Sequence, residues 1–557
     1  MTMGICGSPP VIAPPAASQE HLQRKPRAYT PSIWRDFFLN HQQFTPLQLD
    51  SMKERAERKQ EEVRQIILHA GASSDLGFKL ELIDTLQRIG VDYRFGKEID
   101  QLLRAVHDDA QHESSCCGDL YVASLRFYLL RKHGYSVCSD VFVKFRDDQG
   151  NFASNDIKCL LALYDAANLR TRGEEILDSA IVFTKRRLQS LMKTLEPEMA
   201  AEVQHTLETP SYRRVHRVEA RRYISVYEKL ATRDDTVLEF AKLDYNILQT
   251  LYCEELKALT LWWKGLRSQA YARFARDRVV EMHFWMHGVL YEPHHSYSRI
   301  VLTKWLKLLS LVDDFCDNYS TTEEYEIFIA SMERWDKQAA EKLPACLKEI
   351  LTFILDTIND IVEELKLQKN KHAEMVRELF IDIAKGYGAE DKWRDEEYVP
   401  SKVKEHLQIS VGSSACMHIT NISFILMGDV TTKDAIEWAF SYPEMIRAVC
   451  IVGRISNDIM SHEREQASKH VASTVQACMK ENGIMRVDQA NEKLRALIDE
   501  AWMDIIQGYL QRAHPTELLE KAVNVARIMD NIYKRDDAYT NPHSLKDTVT
   551  SIYVNPV

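Results

Sequence analysis

Hydrophobic residues along this chain recur with a helical period. Leu248, Leu251, Tyr252, Leu256 and Leu259 fall three or four positions apart, as do Leu347, Ile350, Ile354, Ile358 and Ile361. Such spacing gathers apolar side chains into one stripe of an α-helix and predicts two core-facing helices. Alternating apolar and polar positions are scarce. The tract 137–142 (Val-Cys-Ser-Asp-Val-Phe) is the best strand candidate, and it is short. Only 19 glycines and 16 prolines punctuate 557 residues, which favours long helices over many turns. The pattern predicts an all-α protein, and no repeating unit suggests a helical array. The basic stretch 206–222 contains Pro210, Arg213, Arg214, His216 and Arg217. It reads as a connector between an N-terminal and a C-terminal helical domain. We expect a loose arm at 1–27, one helical domain at 28–230 and a second at 231–557.

Composition narrows the function. The chain is 45% hydrophobic and 27% charged, ordinary for a globular protein. A net charge of −11 disfavours nucleic acid as a partner. An acidic protein still holds a small anion where metal ions or local arginines reverse the field. No apolar stretch is long enough to span a membrane. The segment 1–18 has neither the build of a secretory signal nor the Arg-rich character of a transit peptide, so the cytosol is expected. The 11 cysteines are scattered without a CxxC pair, and adjacent Cys116 and Cys117 are poorly placed to bridge. They read as reduced, mostly buried thiols.

The sharpest chemistry is acidic. Asp313, Asp314 and Asp317 follow the apolar run 301–311. Asp313 and Asp317 are one helical turn apart and share a face. Carboxylates so placed repel unless cations neutralise them, and hard oxygen donors suit Mg²⁺ or Mn²⁺. Asn457, Ser461 and Glu465 make a second oxygen-bearing stripe at successive turns, after the apolar run 448–452. Two such stripes suggest walls of one cavity holding several metal ions and a diphosphate. Guanidinium forks match phosphate oxygens, and Arg276, Arg278 and Arg454 are placed to supply them. The similar Arg170-Thr171-Arg172 carries no other supporting feature. His283 and His287 lack the glutamate of a zinc-protease motif and read as packing. His294-His295 after Pro293 reads as a turn. The segment 411–416 (Val-Gly-Ser-Ser-Ala-Cys) interrupts an apolar helix and predicts a kink. Walker, GxSxG and DxDD motifs are absent from the sequence.

Together these motifs resemble the plant class I terpene synthases, in particular sesquiterpene cyclases of the angiosperm type. Asp313-Asp314-Phe315-Cys316-Asp317 matches the family's DDxxD. Asn457 through Glu465 matches its second metal motif, and Arg276-Asp277-Arg278 its RxR. Arg24-Lys25 followed by Trp34 resembles its N-terminal RRx8W, with Lys in place of the second Arg. Asp537-Ala538-Tyr539-Thr540 resembles the family's C-terminal lid sequence.

The resemblance implies a C-terminal class I terpenoid synthase fold behind a catalytically silent N-terminal α-barrel. It implies Asp313, Asp314, Asp317, Asn457, Ser461 and Glu465 around three Mg²⁺ ions, with Mn²⁺ able to substitute. Arg276, Arg278 and Arg454 would grip the diphosphate. The implied reaction is ionisation of farnesyl diphosphate to a C15 cation by a monomeric enzyme. Such a cation needs an apolar aromatic cavity, for which Trp285, Tyr533 and Tyr539 are candidates. Geranyl diphosphate as substrate, a prenyl-chain elongase and a non-catalytic scaffold are the competing readings.

Overall fold

Both periodic stretches fold as their spacing predicts. Leu248, Tyr252, Leu256 and Leu259 lie buried along helix Asp235–Arg267, and Leu347 through Ile361 along helix Ala345–Leu367. The computed structural model describes residues 29–112, 118–147, 150–267, 275–318, 320–467 and 471–557. Arg24, Lys25, Cys116, Cys117 and the side chain of Asp317 fall outside that set. Among the described residues the architecture is all-α, and the only β pairing is an isolated bridge between Arg146 and Phe152. None of the described helices is long and apolar enough to cross a membrane.

Local chemistry explains where helices start. Thr45 and Ser473 each close a capping box, satisfying the first free backbone donors of helices Pro46–Ala72 and Thr474–Asn482. Trp34 is buried and packs against Phe38 with ring centroids 5.6 Å apart. Cys159, Cys253, Cys416, Cys450 and Cys478 are buried free thiols.

One expectation is corrected. The proposed strand at 137–142 is a 3-10 helix, Ser139–Phe145, with no neighbouring strand to pair with. Its Phe142 is fully buried edge-on against Phe127, so one large side chain fixes a turn that alternation alone misread. The stretch 206–222, expected as a connector between domains, is built largely of packed helix. Helix Pro197–Glu208 runs into it, and helix His216–Tyr227 begins within it. Two of its arginines, Arg214 and Arg217, are buried. Arg214 pairs with Glu219 at 2.9 Å, and Arg217 donates to the Gly90 carbonyl at 3.0 Å and sits over the Tyr245 ring.

The second half builds the site. Helix Ser296–Asn318 packs on helices Val279–Val289, Met375–Asp395 and Cys416–Leu426. Helix Glu444–Gln466 packs on helices Val487–Gln511 and Thr516–Ile532, and crosses Cys416–Leu426 closely. A Cβ on Gly453 would meet Cys416 Sγ at 2.5 Å, so only glycine permits that crossing.

Helix Val279–Val289 is tied in by a buried charge network. Glu255 takes Arg299 on one oxygen at 2.6 Å and on the other at 2.9 Å. It also meets His283 Nε2 at 2.8 Å, and His283 Nδ1 meets the Tyr553 hydroxyl at 2.9 Å. The expectation that His283 is structural is consistent with this geometry. Burial pushes the Glu255 carboxyl up, but His283 and Arg299 outweigh it and hold the group down to about 2. A depressed carboxylate stabilises the fold fully above its unfolded value and loses that contribution as pH falls through the folded value. Glu255→Ala should therefore destabilise the protein by about 3–5 kcal/mol at neutral pH, leaving Arg299 buried without its partner. Urea denaturation should show that deficit at pH 7 and a smaller one toward pH 3; a deficit that does not shrink contradicts the assignment.

Candidate active site

Helix geometry brings the two oxygen-rich stripes to one place. Leu306, Leu309, Ser310 and Asp313 form one face of helix Ser296–Asn318, and all four line a single cavity. Gly453, Arg454, Asn457 and Glu465, on helix Glu444–Gln466, line the same cavity. Along both helices the lining runs from apolar or small residues to polar ones toward the C-terminus. Its volume is about 190 Å³. Trp285, Met282, Ile419, Met529 and Ile532 complete an apolar wall, and Tyr533 and Tyr539 add aromatic surface.

Arg276 is the hinge of the polar end. Its Nη2 donates to Asp313 at 2.6 Å. Its Nε and backbone N–H donate to the two oxygens of Asp314 at 2.6 and 2.7 Å. The guanidinium lies 3.7 Å from the Tyr539 ring centroid and 5.0 Å from that of Tyr29. The Arg276 carbonyl accepts from Lys307 Nζ at 2.6 Å. Burial brings the Lys307 ammonium down to about 8, against the upward pull of Asp314 and Asp277.

These contacts revise three expected roles. Asp314, expected among metal ligands, is buried, does not line the cavity and uses both carboxylate oxygens to pin Arg276. Arg278, expected on the diphosphate, is fully buried away from the cavity wall. Its guanidinium donates to the carbonyls of Tyr539 at 3.2 Å and Thr540 at 3.1 Å, so it anchors the C-terminal segment. Tyr539 presents its ring face to Arg276 and a tilted edge to Trp285, with 5.6 Å between ring centroids. That face already holds a cation, which leaves Trp285 as the stronger aromatic candidate. The buried Trp285 indole N–H has no hydrogen-bond partner.

Asn457 and Glu465 line the cavity, and Ser461 lies buried between them. Among the described residues no group of three or more His, Cys, Asp or Glu forms a metal cluster. The donor set here is different in kind: an amide, a hydroxyl and a carboxylate. Ser461 Oγ is buried with no hydrogen-bond partner, an orphaned oxygen that a hard divalent cation would satisfy. Asp313, also lining the cavity, supplies a carboxylate from the facing helix. Asp317 follows it by one turn, but its side chain is outside the described set.

The kink at 411–416 is present. Helix Val403–Ser410 stops there, and Cys416–Leu426 begins after Ala415, whose φ of +61° is a left-handed backbone rarely adopted outside glycine. Arg454 is tied to this break, donating to the Ser410 carbonyl at 3.1 Å and Ser413 Oγ at 2.7 Å. Three residues that sequence reasoning did not single out also enter the site. Glu390 lines the cavity, accepts from Ser413 Oγ at 2.6 Å and lies 3.6 Å from Arg454. Tyr387, one turn earlier, lines it too. Arg464 bridges Glu465 at 3.1 Å and Asp537 at 2.8 Å, linking the second stripe to the C-terminal segment. Arg464 had a signal, since it lies inside the second motif; Glu390 and Tyr387 had none in spacing alone.

Comparison with known proteins agrees with this geometry. Residues 264–504 match the terpene synthase family metal binding domain, and residues 33–207 match the terpene synthase N-terminal domain. The chain is 51% identical over 525 residues to (E)-beta-caryophyllene synthase of Zea mays, covering 94% of this chain and 95% of that one. It is 44% identical to zingiberene synthase of Sorghum bicolor, over 96% of this chain and 97% of that one. Among solved structures, it resembles isoprene synthase from grey poplar leaves in complex with three Mg²⁺ ions and dimethylallyl-S-thiolodiphosphate. That similarity has a TM-score of 0.84 at 30% identity, over 94% of this chain and 99% of that one. With sequence motifs, fold and cavity in agreement, the chain belongs to the terpene synthase family.

Proposed function

We propose that the cavity binds farnesyl diphosphate, breaks its allylic C–O bond, releases diphosphate and turns the resulting cation into a C15 sesquiterpene. The observation that carries this reading is the shared cavity itself: polar ends of two helices meet at one side of an apolar, Trp285-lined chamber. The relatives named caryophyllene and zingiberene synthase support the C15 choice.

Divalent metal, when bound, supplies positive charge that stabilises the departing diphosphate. Asp313 on one helix and Asn457, Ser461 and Glu465 on the other are the residues that would hold it, with Asp317 as a further donor. We take the ions to be three Mg²⁺, for which Mn²⁺ can substitute. Arg276 and Arg454 orient toward the same anion, their geometry set by Asp314 and by the 410–413 break. Preorganised charge of this kind acts without reorganising at the moment of bond breaking. Trp285, Met282 and Ile419 exclude water from the cation, and the Trp285 ring face attracts it. Tyr533 and Tyr539 close the wall. Arg278 and Arg464 hold the segment around Asp537–Thr540 against the polar end. We assign the family's silent N-terminal domain to 28–230 and the catalytic domain to 231–557. A cytosolic monomer completes the reading, on composition and family resemblance.

Incubation with geranyl, farnesyl and geranylgeranyl diphosphates and Mg²⁺ should give the highest kcat/KM with the C15 substrate, and gas chromatography–mass spectrometry should show C15 products. Dominant, efficient C10 release contradicts the substrate assignment.

Asp313→Ala should lower kcat about 10²–10³-fold while circular dichroism stays helical. Ser461→Ala should instead raise the Mg²⁺ concentration needed for half-maximal rate, by about tenfold or more. Unchanged Mg²⁺ dependence in Ser461→Ala removes that hydroxyl from the metal site.

A further inference from the structure

A larger cavity than the one just described lies elsewhere among the described residues. It encloses about 1420 Å³ within the N-terminal half, between helices Leu76–Arg88, Leu120–Lys132, Ile157–Ala167, Pro197–Glu208 and His216–Tyr227. None of the metal or diphosphate candidates lines it. Its wall is mostly apolar, with Leu82, Leu125, Leu161 and Val218 among the contributors.

The polar groups in that wall fall into two kinds. The arginines at its base are committed. Arg88 pairs with Glu202 at 2.5 Å, and Arg222 pairs with Glu202 at 2.7 Å and Glu219 at 2.8 Å. The Asp165 carboxylate is likewise occupied, accepting from the Ser211 backbone N–H at 2.8 Å and its hydroxyl at 2.6 Å. The described lining groups with no hydrogen bond or ion pair to the protein include the Tyr223 hydroxyl and, on helices Leu76–Arg88 and Leu120–Lys132, the Asp84 carboxyl and the Tyr128 hydroxyl. Asp84 and Tyr128 line the cavity from neighbouring helices, and Tyr128 is only 4% exposed. They are close enough for the Asp84 charge to act on Tyr128, and burial pushes both groups up.

A roomy apolar cavity with a few convergent polar groups is the usual build of a small-molecule site. Its chemistry selects the ligand. With Arg88 and Arg222 paired, Arg221 donating to the Ser551 carbonyl and Ser225 Oγ, and Asp84 and Asp165 lining the wall, an anion such as a prenyl diphosphate is disfavoured. A plain hydrocarbon fills the space but leaves both polar groups unmet. A hydroxyl meets both, because it donates to the Asp84 carboxyl and accepts from the Tyr128 O–H.

We infer that the N-terminal domain contains a second small-molecule site, built for an uncharged lipophilic alcohol whose hydroxyl sits between Asp84 and Tyr128. The site also touches Thr548 and Ser551 on the last helix, which packs on helix Asp235–Arg267. An occupant therefore bridges the two halves of the chain.

Equilibrium dialysis of radiolabelled farnesol against the full-length enzyme tests this. Saturating Mg²⁺ and the unreactive thiolo analogue of farnesyl diphosphate are present throughout to occupy the catalytic cavity. Wild type should bind one farnesol per chain. Ala162→Trp, which fills the second cavity, should weaken binding at least tenfold while kcat/KM for farnesyl diphosphate stays unchanged. Tyr128→Phe removes a single oxygen and keeps the test decisive should the larger residue prevent folding; it should weaken farnesol about tenfold and leave binding of the hydrocarbon farnesane unaltered. Absence of farnesol binding by wild type, or equal binding by the folded variants, overturns the proposal.

Discussion

Carboxylates facing one buried space repel each other, and the catalytic half of this chain is organised around cancelling that repulsion. Arg276 does so at rest, joining Asp313 and Asp314 through contacts of 2.6 Å each. The same guanidinium is stacked on Tyr539 and so connects the aspartate helix to the C-terminal segment. On the facing helix Arg454 and Arg464 do the same for Asp458 and Glu465. Both sides are therefore balanced by arginines that a diphosphate can recruit. Charge that is already placed needs little rearrangement when a leaving group arrives.

The apolar end of the chamber follows from the same helices. A helix that buries leucines for several turns and then ends in aspartates has a dry part and a wet part in fixed order. Two such helices line one cavity with their wet parts aligned, the second held by its close crossing with helix Cys416–Leu426 at Gly453. That alignment separates diphosphate departure from the chamber in which the cation is held. It also gives Arg278 and Asp314 their purpose, since neither lines the cavity yet each fixes something that does.

Much of this was legible in the sequence because period and motif are local. The helices around Leu248–Leu259 and Leu347–Ile361, the two oxygen stripes and the 411–416 break needed only spacing. What spacing could not convey was direction across the fold. Asp313 and Asp314 are adjacent, but a helix turns successive side chains by about 100°, so one lines the cavity and the other grips Arg276. Arg276 and Arg278 part as well, in the non-helical backbone just before helix Val279–Val289. The packing of the basic stretch 206–222 was hidden for a related reason: Arg222 and the distant Arg88 meet Glu202 only after helices pack. Glu390 was invisible because a lone glutamate on a long helix has no pattern until Ser413 and Arg454 arrive beside it.

The central claim is that two facing stripes act as one metal-and-anion site, each half incomplete without the anion between them. Counting bound Mn²⁺ by electron paramagnetic resonance, with and without inorganic diphosphate, addresses this most directly. The account predicts weak binding to the protein alone, and tight binding of more than one ion per chain once diphosphate is added. Mn²⁺ binding that is indifferent to diphosphate would contradict it.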